Sequence, residues 1–166
     1  MSSTTRCMAL SAVLVTVAYA NSFVNEFTSW DDRFLVVENA HVKDLSWTGL
    51  AGLFARPVHG TYLPLRALSY ALDFRLWGLN PFGYHLTNVV LHAANVWLVL
   101  ALAGLAFDSL LARLACALAF AVHPVHAEAV TWISGRRDVL SAFFFMSSLA
   151  LFVRAREAWA AAYFGS

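Results

Sequence analysis

Two adjacent carboxylates, Asp31 and Asp32, stand in the run Ser29-Trp30-Asp31-Asp32-Arg33-Phe34, just beyond an apolar stretch long enough to cross a bilayer. Acidic side chains are costly to hold near lipid, so a pair at this depth is read as functional. A carboxylate there could take a proton from an acceptor hydroxyl while a lipid-carried donor lies alongside. Neighbouring residues point in different directions, so the two are not expected to share a proton. One would act as general base and the other would orient it or cap a helix. A helix cap or a solvated loop pair remains the alternative for both.

A second polar cluster runs from His123-Pro124-Val125-His126-Ala127-Glu128 to Trp132-Ile133-Ser134-Gly135-Arg136-Arg137-Asp138. Histidines three apart share one helical face. His123, His126 and Glu128 match no common zinc spacing, and the better reading is a cluster that positions a substrate or tunes nearby carboxylates. The alternative is a helix-end turn set by Pro124. A guanidinium presents a rigid fork of donors suited to phosphate oxygens, so Arg136 and Arg137 could grip a phosphate whose tail lies in the bilayer. The alternative for them is an interfacial anchor paired with Asp138.

These groups need a scaffold that brings them to one side of a membrane. The chain has 166 residues, is 60% hydrophobic and only 13% charged, and has a mean hydropathy of +0.64. Soluble domains are nearer ~45–50% apolar and ~25% charged, so an all-α integral membrane protein is expected. A formal net charge of +1 and the absence of a Lys/Arg block exclude a general attraction to nucleic acid. Cys7 and Cys116 lie inside apolar runs and are expected to pack rather than to form a disulfide or bind metal.

Charge-free windows mark the spans. They hold 19 residues between Arg6 and Glu26, 32 between Arg75 and Asp108, 14 between Arg113 and Glu128, and 15 between Asp138 and Arg154. Four transmembrane helices are therefore expected, at about 7–25, 84–105, 109–123 and 138–154, in a single membrane domain covering 1–166. The segment 26–82 forms a first extracytoplasmic loop rich in interfacial helix, with an amphipathic stretch from Tyr62 to Trp77 and boundaries at Pro57, Pro64 and Pro81. A cleaved signal peptide ending near Ala20 is the rival reading of the first span. Placing Arg6, Arg113, Arg154 and Arg156 in the cytoplasm puts both polar clusters outside it, although Arg136 and Arg137 count against that orientation. His85, Asn88, His92 and Asn95 make one polar stripe on the second span, expected to hydrogen-bond to neighbouring helices. Trp47, Tyr62, Tyr70 and Trp77 read as interface aromatics.

Several of these runs, taken in order, resemble a known family. They are Trp30-Asp31-Asp32, Tyr62-Leu63-Pro64-Leu65, Leu68-Ser69-Tyr70-Ala71-Leu72-Asp73, Trp77 through Asn88, and His123 through Arg136. Together they are similar to the amino-terminal part of the transmembrane and tetratricopeptide-repeat O-mannosyltransferases and their bacterial relatives, of the GT-C class. The resemblance covers about Ala20 to Phe152. It implies a partial GT-C fold and transfer of a sugar, mannose in that family, from a polyprenyl- or dolichyl-phosphate donor to protein Ser or Thr on the luminal side. The membrane would be the endoplasmic reticulum in a eukaryote and the inner membrane in a bacterium.

By that resemblance the acidic motif, Asp31 and Asp32, is catalytic, and Arg136 serves the lipid phosphate. No cofactor is implied, and a divalent metal is left open. Relatives carry Tyr-Arg-Pro-Leu where this chain has Tyr62-Leu63-Pro64-Leu65, so Arg66 would supply the missing basic charge, or the charge is lost. No repeat domain is present, and the chain is expected to be an amino-terminal piece of such an enzyme. A non-catalytic membrane scaffold or a truncated remnant is the alternative.

Overall fold

The computed structural model describes residues 2–57 and 60–164, with side chains described through Arg156. Among the described residues the chain is helical and has no strand. Eight α-helices follow one another: α1 (Ser3–Ala18), α2 (Ala40–Lys43), α3 (Trp47–Ala55), α4 (Pro64–Trp77), α5 (Pro81–Ala103), α6 (Leu110–Ala121), α7 (Ala127–Thr131) and α8 (Arg136–Phe164). Short turns of tighter or wider helix, Ala20–Val24, Arg33–Val37, Pro124–His126 and Ile133–Gly135, join them.

The helix starts follow from local chemistry. Ser2 and Asn80 accept from the backbone N–H groups of Thr5 and Phe82, at 3.1 Å each, which satisfies donors that the first turn leaves free. Pro64 and Pro81 sit in the first turns of α4 and α5, where a missing N–H costs nothing. Helix α4 stops at Gly78, whose φ of 59° lies in the left-handed region that favours glycine.

Among the described residues, two helices are long and apolar enough to cross a membrane: α5, and the stretch Ile133–Arg156 that includes most of α8. A third span arises if α6 and the following Pro124–Thr131 segment, bent by 45°, are taken as one. Helix α1 has 16 residues, about 24 Å of length, which is short of a hydrocarbon core of about 30 Å. The expected boundaries shift accordingly. The first segment, expected over 7–25, ends as a helix at Ala18 and continues as a 3₁₀ turn. The fourth, expected over 138–154, begins two residues earlier, at Arg136. The loop expected over 26–82 contains Ala40–Lys43, Trp47–Ala55 and Pro64–Trp77 as helices; its residues 58 and 59 lie outside the described set.

The long helices alternate in direction. Trp97 donates to the carbonyl of Met8 at 3.0 Å while Tyr19 packs edge-on against His92 at 5.2 Å, so α1 runs antiparallel to α5. His92 meets the carbonyl of Ala121 at 3.0 Å, which sets α6 antiparallel to α5. Asn88 donates to the carbonyl of Trp132 at 2.8 Å and Asn95 to that of Val139 at 2.9 Å, so α8 runs parallel to α5. The end of α1, the start of α5, the end of α6 and the start of α8 thus gather at one end of the bundle. Three members of the polar stripe do what its spacing predicts: Asn88, His92 and Asn95 each bond to a neighbouring helix or turn. Ala117 and Ala121, fully buried, let the backbones approach beside Val15, Val89, Val96 and Leu100.

A second core lies under the loop helices. Leu35, Val36, Val42, Leu53, Tyr70, Ala71, Tyr84 and Ile133 pack there. Tyr70 belongs to this core and is 1% exposed, so it is not an interface aromatic; Trp47 and Tyr62 are exposed as expected. The Tyr70 hydroxyl donates to the carbonyl of Ile133 at 3.0 Å, and burial pushes its phenol up to about 12.

The joint between the two cores is Arg136. Its side chain is fully buried, and its Nη2 donates to Asp73 Oδ2 at 2.7 Å and to the carbonyl of Tyr84 at 2.8 Å. Nη1 reaches Ser69 Oγ at 3.2 Å, Nε donates to Asn88 Oδ1, and the guanidinium lies 5.0 Å from the centre of the Tyr70 ring. Asp73 also accepts from Thr87 Oγ1 at 2.7 Å. One residue at the head of α8 therefore ties α4 and α5 together. Removing one partner of a buried pair strands the other charge, so Asp73→Ala is expected to lower stability by about 3–5 kcal/mol. Asp138→Ala, which removes the exposed partner of Arg137, is expected to change it by at most about 1 kcal/mol. Chemical unfolding in detergent micelles, followed by circular dichroism, measures both; equal losses would contradict this assignment of Arg136.

Candidate functional site

The two polar clusters singled out by sequence meet. Asp32 is fully buried, and its Oδ1 accepts from the backbone N–H of Ser134 at 2.9 Å and from the Ser134 hydroxyl. Its Oδ2 accepts from the N–H of Thr28 at 2.9 Å and from the Thr28 hydroxyl at 3.0 Å. A carboxylate offers about four lone-pair positions, and here all four are used. Trp132 adds a further tie, donating from Nε1 to Thr28 Oγ1 at 3.1 Å. The loop after α1 is thus fastened to the turn before α8 across a separation of about a hundred residues.

Local structure explains why the turn can receive Asp32. Ser134 lies in the 3₁₀ turn Ile133–Gly135, which presents its N–H and hydroxyl together. Gly135 has no room for a side chain, because a Cβ there would stand 2.6 Å from the carbonyl oxygen of Ala129. The turn is therefore pressed onto α7.

Beside this junction opens a cleft of about 770 Å³. Asp32, Thr28, Glu26, Glu128, His85 and Trp132 contribute to its walls, with Trp30 at its rim, 75% exposed. Asp31 lies between Trp30 and Asp32, both of which line the cleft, and its side chain is exposed rather than engaged in the junction. The acidic pair is therefore divided: Asp32 is held by four donors and Asp31 is open to solvent.

The other site residues expected from sequence fall in three places. Glu128 lines the cleft. His123 is exposed, and its Nδ1 accepts from the backbone N–H of Val125 at 3.2 Å, which makes it a cap for the Pro124 turn. His126 packs against Phe120 at 4.3 Å and does not reach the cleft.

The three arginines also separate. Arg136 turns inward to Asp73, Asn88, Ser69 and Tyr84, and presents nothing to a ligand. Its partner is Asp73, not the sequence neighbour Asp138, which pairs with Arg137 at 3.1 Å. Arg66 and Arg137 share a second groove of about 200 Å³ with Leu63, Leu65, Leu140 and Phe144. Arg66 is 7% exposed and has no hydrogen-bond acceptor for its side chain among the described residues. No group of three His, Cys, Asp or Glu side chains gathers to hold a metal ion among the described residues.

Sequence reasoning assigned His85 to packing with the rest of its stripe. The structure instead sets it in the wall of the cleft, 2% exposed. The backbones of Asn25 and Thr131 approach its ring, yet neither ring nitrogen completes a hydrogen bond among the described residues. Its place at the start of α5, one turn from the helix end, was the available signal.

Comparison with curated proteins gives a consistent result. The chain is 34% identical over 152 residues to Protein O-mannosyl-transferase tmtc2 of Xenopus laevis, covering 87% of this chain and 18% of that protein. It is 36% identical over 143 residues to Protein O-mannosyl-transferase Tmtc1 of Drosophila melanogaster, covering 81% and 16%. Against human Protein O-mannosyl-transferase TMTC3 it is 35% identical over 154 residues, covering 86% and 16%. The resemblance carried by the motifs therefore extends over most of the chain, while the chain spans less than a fifth of the length of these relatives. No family model matches the chain, and no solved structure matches it.

The junction has a direct energetic test. In a double-mutant cycle of Asp32→Ala and Ser134→Ala, hydrogen bonds to a charged group give an expected coupling of about 1.5–3 kcal/mol. Unfolding of the four proteins in micelles measures it. Strict additivity would show that the two residues do not meet.

Proposed function

We propose that this chain forms the acceptor-activating and donor-phosphate-holding portion of a membrane glycosyltransferase. It would move mannose from a dolichyl- or polyprenyl-phosphate donor to a protein Ser or Thr on the luminal face of the endoplasmic reticulum. The relatives named protein O-mannosyl-transferases support the reaction class. The observation that carries the reading is the Asp32–Ser134 junction, which unites the acidic loop and the arginine-bearing turn beside one cleft. In this reading α1, α5, α6 with its bent continuation, and α8 are four spans of a GT-C bundle. Their shared end faces the lumen, and Arg6, Arg113, Arg154 and Arg156 face the cytosol.

The chemistry divides between the two carboxylates. Asp31, exposed and free of the junction, takes the proton of the acceptor hydroxyl as the oxygen attacks the anomeric carbon. The bond from that carbon to the phosphate oxygen breaks, the electron pair leaves with the lipid phosphate, and the sugar configuration inverts. Asp32 holds the loop that presents Asp31. The groove suits the departing phosphate, since two arginines, Arg66 and Arg137, line it together with leucines and a phenylalanine. Ser134, which touches Asp32, precedes Arg137 by three residues, a reach of at most about 11 Å. Arg136 belongs to the scaffold in this scheme, and Arg66 supplies the basic charge that the motif Tyr62-Leu63-Pro64-Leu65 lacks.

The full-length protein in microsomes, given a dolichyl-phosphate mannose donor and a Ser/Thr peptide, tests this scheme. Asp31→Asn is expected to lower transfer by about 10²–10⁴-fold at an unchanged unfolding midpoint, the range for loss of a general base. Arg66→Gln is expected to raise the donor KM about tenfold or more, since a charge-assisted contact to phosphate is lost. Full transfer by Asp31→Asn would overturn the assignment of the base.

A further inference from the structure

We propose that His85 is a ligand-binding residue of the cleft and that it holds a ring hydroxyl of the transferred sugar. The proposal deepens the preceding reading and rests on it for the class of ligand. It starts from an imbalance. Buried polar groups in folded proteins are nearly always hydrogen-bonded, and an unpaired one calls for a reason. His85 is 2% exposed, and both of its ring nitrogens lack a partner among the described residues. Its stripe neighbours, Asn88 and His92, bond to the Trp132 and Ala121 carbonyls.

A partner from outside the chain would have to come from the cleft, whose wall His85 helps to form. His85 lines the same wall as Asp32, and the cleft is walled by Glu26 and Glu128 as well. A neutral imidazole carries one N–H donor and one acceptor nitrogen, so it matches a hydroxyl, which both gives and takes a hydrogen bond. Carboxylates accept from hydroxyls without contributing a donor. Trp30, 75% exposed, and Trp132 add aromatic faces. A ligand dense in hydroxyls, with an apolar ring face, satisfies this whole set. A phosphate does not, because the three carboxylates would repel it. The cleft therefore suits the sugar and the acceptor hydroxyl, and the Arg66 groove suits the phosphate.

His85 cannot reach these ligands by accident of flexibility. It sits on the second turn of α5, between Tyr84, whose hydroxyl donates to the Gly78 carbonyl at 2.8 Å, and Asn88, which bonds to the turn carrying Ser134. The ring is thus fixed in relation to Asp32 by the same helix that fixes Arg136.

The test uses the full-length protein in micelles and three probes: methyl α-D-mannopyranoside, its glucoside and its galactoside. Ring ¹⁵N chemical shifts of the histidines are recorded on titration, with transfer assayed in parallel. The proposal expects saturable movement of the His85 signals with at least one hexoside, while the His92 signals stay fixed. It also expects at least a tenfold rise in the apparent Kd in His85→Phe, partly restored in His85→Gln, which keeps a donor and an acceptor. The wild-type shifts do not depend on how any variant folds. Unmoved His85 signals at saturating hexoside, or unchanged affinity in a folded His85→Phe, would overturn the proposal even if transfer proceeds. His85-dependent hexoside binding without transfer would instead sustain it while the transferase reading fails.

Discussion

The molecule hangs on the Arg136–Asp73 pair. A guanidinium with no exposure is tolerable only when its donors are met, and Arg136 meets Asp73, Asn88, Ser69 and the Tyr84 carbonyl in one place. Those partners come from α4 and α5, so the start of α8 is fixed against both. The turn just before it, carrying Ser134, inherits that position and can receive Asp32. From there the loop after α1 is fixed, the cleft acquires its wall, and Asp31 is left facing solvent. An ion pair buried under the loop helices thus determines where a carboxylate at the surface stands.

This arrangement separates groups whose bonding is complete from groups whose bonding is not. Asp32, Arg136 and Asp73 are saturated with internal partners and build the frame. Asp31, Arg66 and His85 keep unused capacity, and each borders a cavity or solvent. Residue type alone could not divide them in this way. A fully bonded carboxylate and a free one look the same in a sequence, as do Arg136 and Arg137. Only the count of donors and acceptors around each group distinguishes a structural charge from one available to a substrate.

Much of the frame was legible in the chain. Charge-free windows located α1, α5, α6 and α8, and the prolines at 64 and 81 marked helix starts, because apolar length and a missing N–H are local properties. The spacing of Asn88, His92 and Asn95 announced helix-to-helix hydrogen bonds. The helix limits were less legible. Using charges as ends moved the start of the last helix past Arg136, since a buried, paired arginine can lie inside a hydrophobic body. The Asp73–Arg136 pair links residues 63 apart, and no local pattern reports such a contact. Tyr70 was read as an interface aromatic for the same reason: its burial depends on Ile133 and Tyr84, which approach only after folding. His85 shared the stripe's spacing and differed only in what stood opposite it.

The acidic loop and the arginine turn meet at one end of the helix bundle. Proximity labelling with paired cysteines shows whether that end lies on one side of the membrane. With Cys7 and Cys116 replaced by serine, cysteines at Thr28 and Trp132 should label from the same side of sealed vesicles and be joined by a short bifunctional thiol reagent within a single chain, because Trp132 donates to Thr28 at 3.1 Å. Labelling from opposite sides, with no cross-link, would contradict the account at its root.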